Sequence, residues 1–136
     1  MTRAYCGGVW DLFHYGHLCL LQRTRALLGP SGILIVGVIS DEGAKRLPII
    51  PFEQRYAIIQ ALAIVDRVVE QPAHDSTEVL KALPELPDFL VHGDDAEPLA
   101  AKWFEAQGGT VVLFPYTEGV SSSWLRTILA PPGTQN

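Results

Sequence analysis

The run Ile33-Leu34-Ile35-Val36-Gly37-Val38-Ile39 is apolar throughout, with no alternation of polar and apolar residues. A strand of that kind has no face to offer to water, so it fits the middle of a parallel sheet covered on both sides. Upstream lies a second short apolar segment, Ala4-Tyr5-Cys6, which ends in glycine and reads as another buried strand. Between the two, Gly16 through Leu28 carries helical periodicity through Leu20, Leu21, Thr24 and Leu28. Strand, helix and parallel strand make a right-handed βαβ unit, and the pattern repeats downstream. Helices are expected at Phe52 to Leu62, Ser76 to Leu83, Ala96 to Gln107 and Ser121 to Leu129. Strands are expected at Asp66 to Val69, Asp88 to His92 and Thr110 to Phe114. The expected fold is α/β: a single-domain, doubly wound, Rossmann-like parallel sheet of five strands with helices on both faces.

With 136 residues and 48% hydrophobic content the chain can bury a core, and it is long enough for one domain, expected over residues 1–130 with a frayed tail at 131–136. A net charge of −5 disfavours nucleic acid or an anionic membrane as partner. No signal-peptide core and no apolar run of membrane-spanning length is seen, so a cytoplasmic location is expected. Cys6 and Cys19 form no Cys-x-x-Cys pair and are expected as small buried residues in a reducing compartment.

Chemistry concentrates where the first strand meets the first helix, in Gly7-Gly8-Val9-Trp10-Asp11-Leu12-Phe13-His14-Tyr15-Gly16-His17. A helix start presents unpaired N–H groups and the positive end of a dipole, which suits an anion. Gly8 lets main chain approach a ligand closely, and Gly16 lets the helix start press against a phosphate or a neighbouring strand. His14 and His17 can each place an N–H on a phosphate oxygen, and in cationic form offset charge on a departing pyrophosphate. A metal site needs a third Cys, His or carboxylate at suitable spacing, and none is evident near the pair.

Other segments add candidate groups. Lys45 and Arg46 are adjacent cations on the loop after the second strand, read either as a clamp on an anionic ligand or as a solvated pair. Arg55 opens the second helix beside Glu53 and can orient the site or cap local carboxylates. His92-Gly93-Asp94-Asp95 ends a buried strand, where an aspartate can accept a bond from a base amino group, cap the next helix or sit near Mg²⁺. In Tyr116-Thr117-Glu118-Gly119-Val120-Ser121-Ser122-Ser123, serine hydroxyls and N–H groups can meet phosphate or cap a helix, and Arg126 follows within the first turns.

The run Gly8-x-Trp10-Asp11-x-x-His14-x-Gly16-His17 resembles the signature of the cytidylyltransferase-like nucleotidyltransferases, which join a nucleoside monophosphate to a phosphorylated acceptor and release pyrophosphate. Glu53-x-Arg55 matches the family's Glu-x-Arg. Val91-His92-Gly93-Asp94-Asp95 is similar to a segment that lines the nucleoside pocket in its cytidylyl branch. The segment from Tyr116 to Arg126 is similar both to Arg-Thr-x-Gly-Ile-Ser-Thr of the cytidylyltransferases and to Ile-Ser-Ser-x-x-x-Arg of the adenylyltransferases. The resemblance runs nearly the whole chain in order and is nearest the small glycerol-3-phosphate and phosphoethanolamine types.

It implies transfer of CMP from CTP, with Mg²⁺ on the nucleotide phosphates, to a small phosphate or phosphonate, in a homodimer. Catalytic contacts fall to His14, His17, Lys45 and Arg126. Nucleotide contacts fall to Gly8, Val9, Trp10, Asp11, Gly16, His92, Gly93, Asp95, Tyr116, Thr117, Gly119, Val120, Ser121 and Ser122. Acceptor contacts fall to Lys45, Arg46 and Arg55. Departures stand at Ala63, where the glycerol-phosphate branch has arginine, at Tyr116, where the cytidylyltransferase pattern has arginine, and at Val9, where many relatives have threonine. Two rival expectations stand beside this one: an ATP-using adenylyltransferase of the same fold, and, suggested by Val9 and Tyr116, a nucleotide-binding regulator that has lost catalysis.

Overall fold

A computed structural model describes residues 1–115, 117 and 121–130, apart from the side chain of Ser123. In chain order the elements are β1 (Arg3–Gly8), α1 (Tyr15–Leu28), β2 (Ile33–Ile39), α2 (Phe52–Gln60), β3 (Arg67–Gln71), α3 (Thr77–Ala82), β4 (Phe89–Gly93), α4 (Ala101–Ala106), β5 (Thr110–Phe114) and α5 (Ser122–Leu129). The strands form one sheet in the order β3-β2-β1-β4-β5, and every pairing is parallel. Leaving β1, the chain winds first to β2 and β3; it then crosses to the other side of β1 for β4 and β5. The direction of winding therefore reverses between β1 and β4, and the crevice outside their carboxyl ends is where such sheets take ligands.

The continuous apolar run of β2 is buried on both faces by two separate cores. Leu34, Val36 and Val38 point to the side covered by Leu21 and Leu28 of α1 and Ile59 of α2. Ile35 points to the side covered by Leu80 of α3 and Phe104 of α4. Gly37 belongs to that second face, where a Cβ would run into the Tyr5 hydroxyl. The Tyr5 ring lies across it, and its hydroxyl donates to Gln71 Oε1 at 2.5 Å. Burial of the phenol pushes its pKa well above the ordinary value, which keeps it a donor.

The fourth expected helix is shorter than its sequence pattern. It begins at Ala101, not Ala96, because Pro98 has no N–H to give and disfavours helical backbone at Glu97. Ser121 lies outside α5 as its N-cap and accepts the Trp124 N–H at 2.9 Å. Cys6 is buried and its thiol is pushed up to about 12, whereas Cys19, expected to be buried too, is only half covered on α1. The expected tail at 131–136 lies outside the described residues. No described helix is long and apolar enough to cross a membrane.

Candidate active site

The loop leaving β1 is held in a shape that most side chains avoid. Trp10 has φ 58° and Leu12 φ 50°, each of which costs about 1–3 kcal/mol for a non-glycine residue unless its surroundings enforce it. Two anchors flank the strain. The Trp10 indole is buried and donates Nε1–H to the Gly37 carbonyl at 2.9 Å. Asp11, 3% exposed, accepts the N–H groups of Ile49 at 2.8 Å and Ile50 at 2.9 Å, as well as its neighbour Leu12 at 3.1 Å. The Arg126 guanidinium pairs with the same carboxylate, and the Asp11 carbonyl accepts the Ser122 hydroxyl at 2.6 Å. Burial pushes the Asp11 pKa upward, but the two amides and the arginine more than offset it and hold the carboxyl below its ordinary range.

Past the loop, α1 opens with a capping box made of two imidazoles. His14 Nδ1 accepts the Gly16 N–H at 3.0 Å, and His17 Nδ1 accepts the His14 N–H at 3.2 Å. A ring nitrogen that accepts carries no proton, so each neutral ring has its hydrogen on Nε2. The rings stack at a centroid distance of 3.8 Å and an angle of 21°. His17 is also packed against Trp10 at 5.4 Å and Phe13 at 5.3 Å. Burial, reinforced by His14 and opposed by Asp11, lowers the His17 pKa to about 3. Burial lowers His14 as well. Without a ligand, both rings are neutral N–H donors near pH 7.

The pair lines a cleft of about 320 Å³ at the junction of β1 and β4. One wall holds Gly8, Val9, Trp10, His14, Gly16 and His17. Opposite are His92, Gly93 and Asp95, and Thr117, Ser121 and Ser122 close the rim. His92 donates Nδ1–H to the Gly93 carbonyl at 2.9 Å and stands 3.8 Å from Asp95 Oδ1. Gly7, Leu20 and Pro115 line the cleft too. Leu20 was legible only as helix core, since its apolar side chain signals nothing but burial. Of the expected nucleotide contacts, Tyr116, Gly119 and Val120 lie outside the described residues.

Five of the expected ligand groups stand elsewhere. Asp11 is turned inward as an anchor, not toward a nucleotide. Arg126 points to Asp11 and does not line the cleft. Arg55, expected at the acceptor, is 0% exposed. Its guanidinium donates to the carbonyls of Ile50 at 2.8 Å, Val9 at 2.7 Å and Ile39 at 2.7 Å, and to Asp41 at 2.7 Å. It therefore fixes the ends of β1 and β2 rather than meeting a substrate. Glu53 at the start of the same helix is exposed. Lys45 and Arg46 are exposed on the loop after β2, away from the cleft lining.

Among the described residues, no three His, Cys, Asp or Glu side chains are grouped to hold a metal ion. An ion of the Mg²⁺ type, which keeps few protein ligands and leans on substrate phosphates, needs less, and Asp95 is an exposed carboxylate on the cleft wall that fits that demand.

Residues 5–128 match the model of the cytidylyltransferase-like family. The chain is 38% identical over 112 residues to the FAD synthase of Methanopyrus kandleri, covering 78% of this chain and 73% of that protein. It is 34% identical over 132 residues to an ethanolamine-phosphate cytidylyltransferase of Arabidopsis thaliana, covering 90% of this chain but 31% of that much longer protein. Among solved structures, a lipopolysaccharide core biosynthesis protein from Thermoplasma volcanium superposes with a TM-score of 0.69 at 28% identity, covering 86% of this chain and 97% of the other. A match over almost all of the sheet and its helices, joined to the imidazole pair at the end of β1, makes this chain a nucleotidyltransferase of the cytidylyltransferase-like family.

Proposed function

We propose that the protein transfers CMP from CTP to a small phosphate or phosphonate and releases pyrophosphate. The observation that carries this is that one cleft joins the imidazole pair of α1 to the His92-Gly93-Asp95 turn of β4. The first suits a triphosphate and the second a base with an exocyclic amino group, for which the Asp95 carboxylate is an acceptor. Similarity to a cytidylyltransferase supports the choice of base.

In the proposed reaction an acceptor phosphoryl oxygen attacks the α-phosphorus, and the bond to the bridging oxygen of the β-phosphate breaks. The second pKa of a phosphate monoester is about 6, so the attacking oxygen is already ionised at neutral pH. No side chain has to remove a proton, which agrees with imidazoles too weakly basic to do so in the free protein. Their work is to aim two Nε2–H groups at the phosphate oxygens where charge accumulates, with rings locked in place by the backbone. Mg²⁺ carried on the nucleotide phosphates would neutralise part of the triphosphate charge.

A second reading, transfer of AMP from ATP, is favoured by the similarity to an FAD synthase, since FAD carries an adenylate. Parallel pyrophosphate-release assays with CTP and ATP, across phosphates and phosphonates, decide between them. Release with CTP alone is expected; release with ATP alone overturns the choice of nucleotide. CTP binding without release from either nucleotide identifies a regulator.

A further inference from the structure

One wall of the cleft stands where the chain leaves β5. Phe114, the last residue of that strand, pairs with Gly93 of β4. Its carbonyl accepts the Asp94 N–H at 2.9 Å, which ties the end of β5 to the turn beside it. Pro115 follows and lines the cleft. A proline has no N–H with which to continue the ladder, and its ring fixes φ, so the way the ring faces depends on what holds the carbonyls on either side of it. The first of these, on Phe114, is held by Asp94. The second, its own, accepts a hydrogen bond at 2.9 Å from Arg23 Nη1, which reaches it from α1 across 92 residues of sequence.

Arg23 is exposed and stands outside the cleft. Among the described residues it forms no ion pair with a carboxylate, and its guanidinium is directed at the Pro115 carbonyl instead. Leu20 lies three residues earlier on α1, at a neighbouring position of the helix surface, and lines the cleft together with Pro115. The Leu20 side chain is backed by the core that also holds Val112 and Phe114, so α1 offers the cleft a fixed apolar surface. Pro115 is exposed, and how far it stands from α1 is set by the arginine.

We propose that Arg23 is a positioning residue for the base: by holding Pro115 against α1 it sets the separation of the Leu20 and Pro115 surfaces beside the His92-Gly93-Asp95 turn, and so governs affinity for the nucleoside without touching the nucleotide. The inference rests on the transferase reading above, which puts the base at that turn. A planar base gains attraction from apolar atoms at van der Waals separation, and a gap of about 0.5–1 Å forfeits a quarter to a half of it. The triphosphate end, met by the imidazole pair and the start of α1, has no need of Pro115.

Calorimetry on the full chain with CTP and with inorganic tripolyphosphate, which carries the charge but no base, tests this. Arg23→Ala is expected to weaken CTP by about tenfold and to leave tripolyphosphate within about twofold of the parent. Arg23→Lys, whose ammonium can still donate to the carbonyl, is expected to recover part of the CTP affinity. Because the position is exposed, Tm should stay within about 2 °C of the parent in both variants. Equal weakening of CTP and tripolyphosphate would mean that the arginine acts only as a charge, and an unchanged CTP affinity that it does not position the base; either overturns the proposal. So does a parent protein that binds the two probes equally, since it has no base subsite to position. The expected binding pattern without pyrophosphate release from CTP would sink the transferase reading and leave the role of Arg23 standing. Release from CTP at a CTP KM that Arg23→Ala does not alter would do the reverse.

Discussion

Arg126 pairs with the carboxylate of Asp11 from 115 residues further along the chain, placing α5 directly on the loop that carries the imidazole pair. The carboxylate is almost wholly buried and also takes the amides of Ile49 and Ile50. Asp11→Ala would strand a largely covered guanidinium and two amides at once. Breaking a buried pair on one side typically costs about 3–5 kcal/mol, and chemical denaturation should show a loss of that order. Arg126→Ala is expected to lower turnover with little change in CTP affinity, because it loosens the loop without removing a group from the cleft wall.

Turnover should depend on His17 far more than binding does. His17→Ala removes a donor aimed at charge that grows only as the reaction proceeds, a change typically costing about 10²–10³ in rate. Steady-state kinetics with saturating acceptor should show that loss in kcat and a CTP KM within a few-fold of the parent. An unchanged kcat would exclude the ring from the reaction.

Stability should fall on acidification in two separable windows. The folded pKa of His17 is lowered to about 3, against roughly 6.5 for a free imidazole. The unfolded chain thus binds the extra proton first, and the contribution present above pH 6.5 drains away as pH falls toward 3. His14 and His74 shift in the same direction. Asp11 is also lowered, so its contribution persists down to the ordinary carboxylate range, about pH 4, and is lost below it. Urea denaturation from pH 8 to 3 should show a shallower slope above pH 4 in His17→Asn and a shallower slope below pH 4 in Asp11→Asn.

Arg55→Lys should act on folding rather than on substrate. Lysine cannot reproduce a planar fork that meets the carbonyls of Ile50, Val9 and Ile39 together with Asp41. With a buried cation left short of partners, a loss of about 2–4 kcal/mol is expected. The acceptor KM of the folded enzyme should change less than twofold. A large rise in acceptor KM at unchanged stability would return Arg55 to the binding site.

The sheet was readable because its signals are local. An unbroken apolar run names a central strand, and a glycine-flanked pair of histidines at a strand-to-helix junction marks the turn that the structure places on the cleft wall. The fates of the cations were not local. Lys45, Arg55 and Arg126 look alike as residue types, yet one is exposed, one is sealed beneath two strand ends and one is pinned to a carboxylate. What separates them is the identity of their distant neighbours, which only the fold supplies.

Because Asp11 grips the peptide of Ile49 and Ile50 on one side and Arg126 on the other, the loop after β2 and α5 are mechanically linked through the loop that carries the imidazole pair. Any substrate that drew the Lys45 loop inward would tug on that grip and be felt at α5 across the opening. Tightening at one lip and tightening at the other would then happen together, so that a partly filled cleft is held less firmly than a full one.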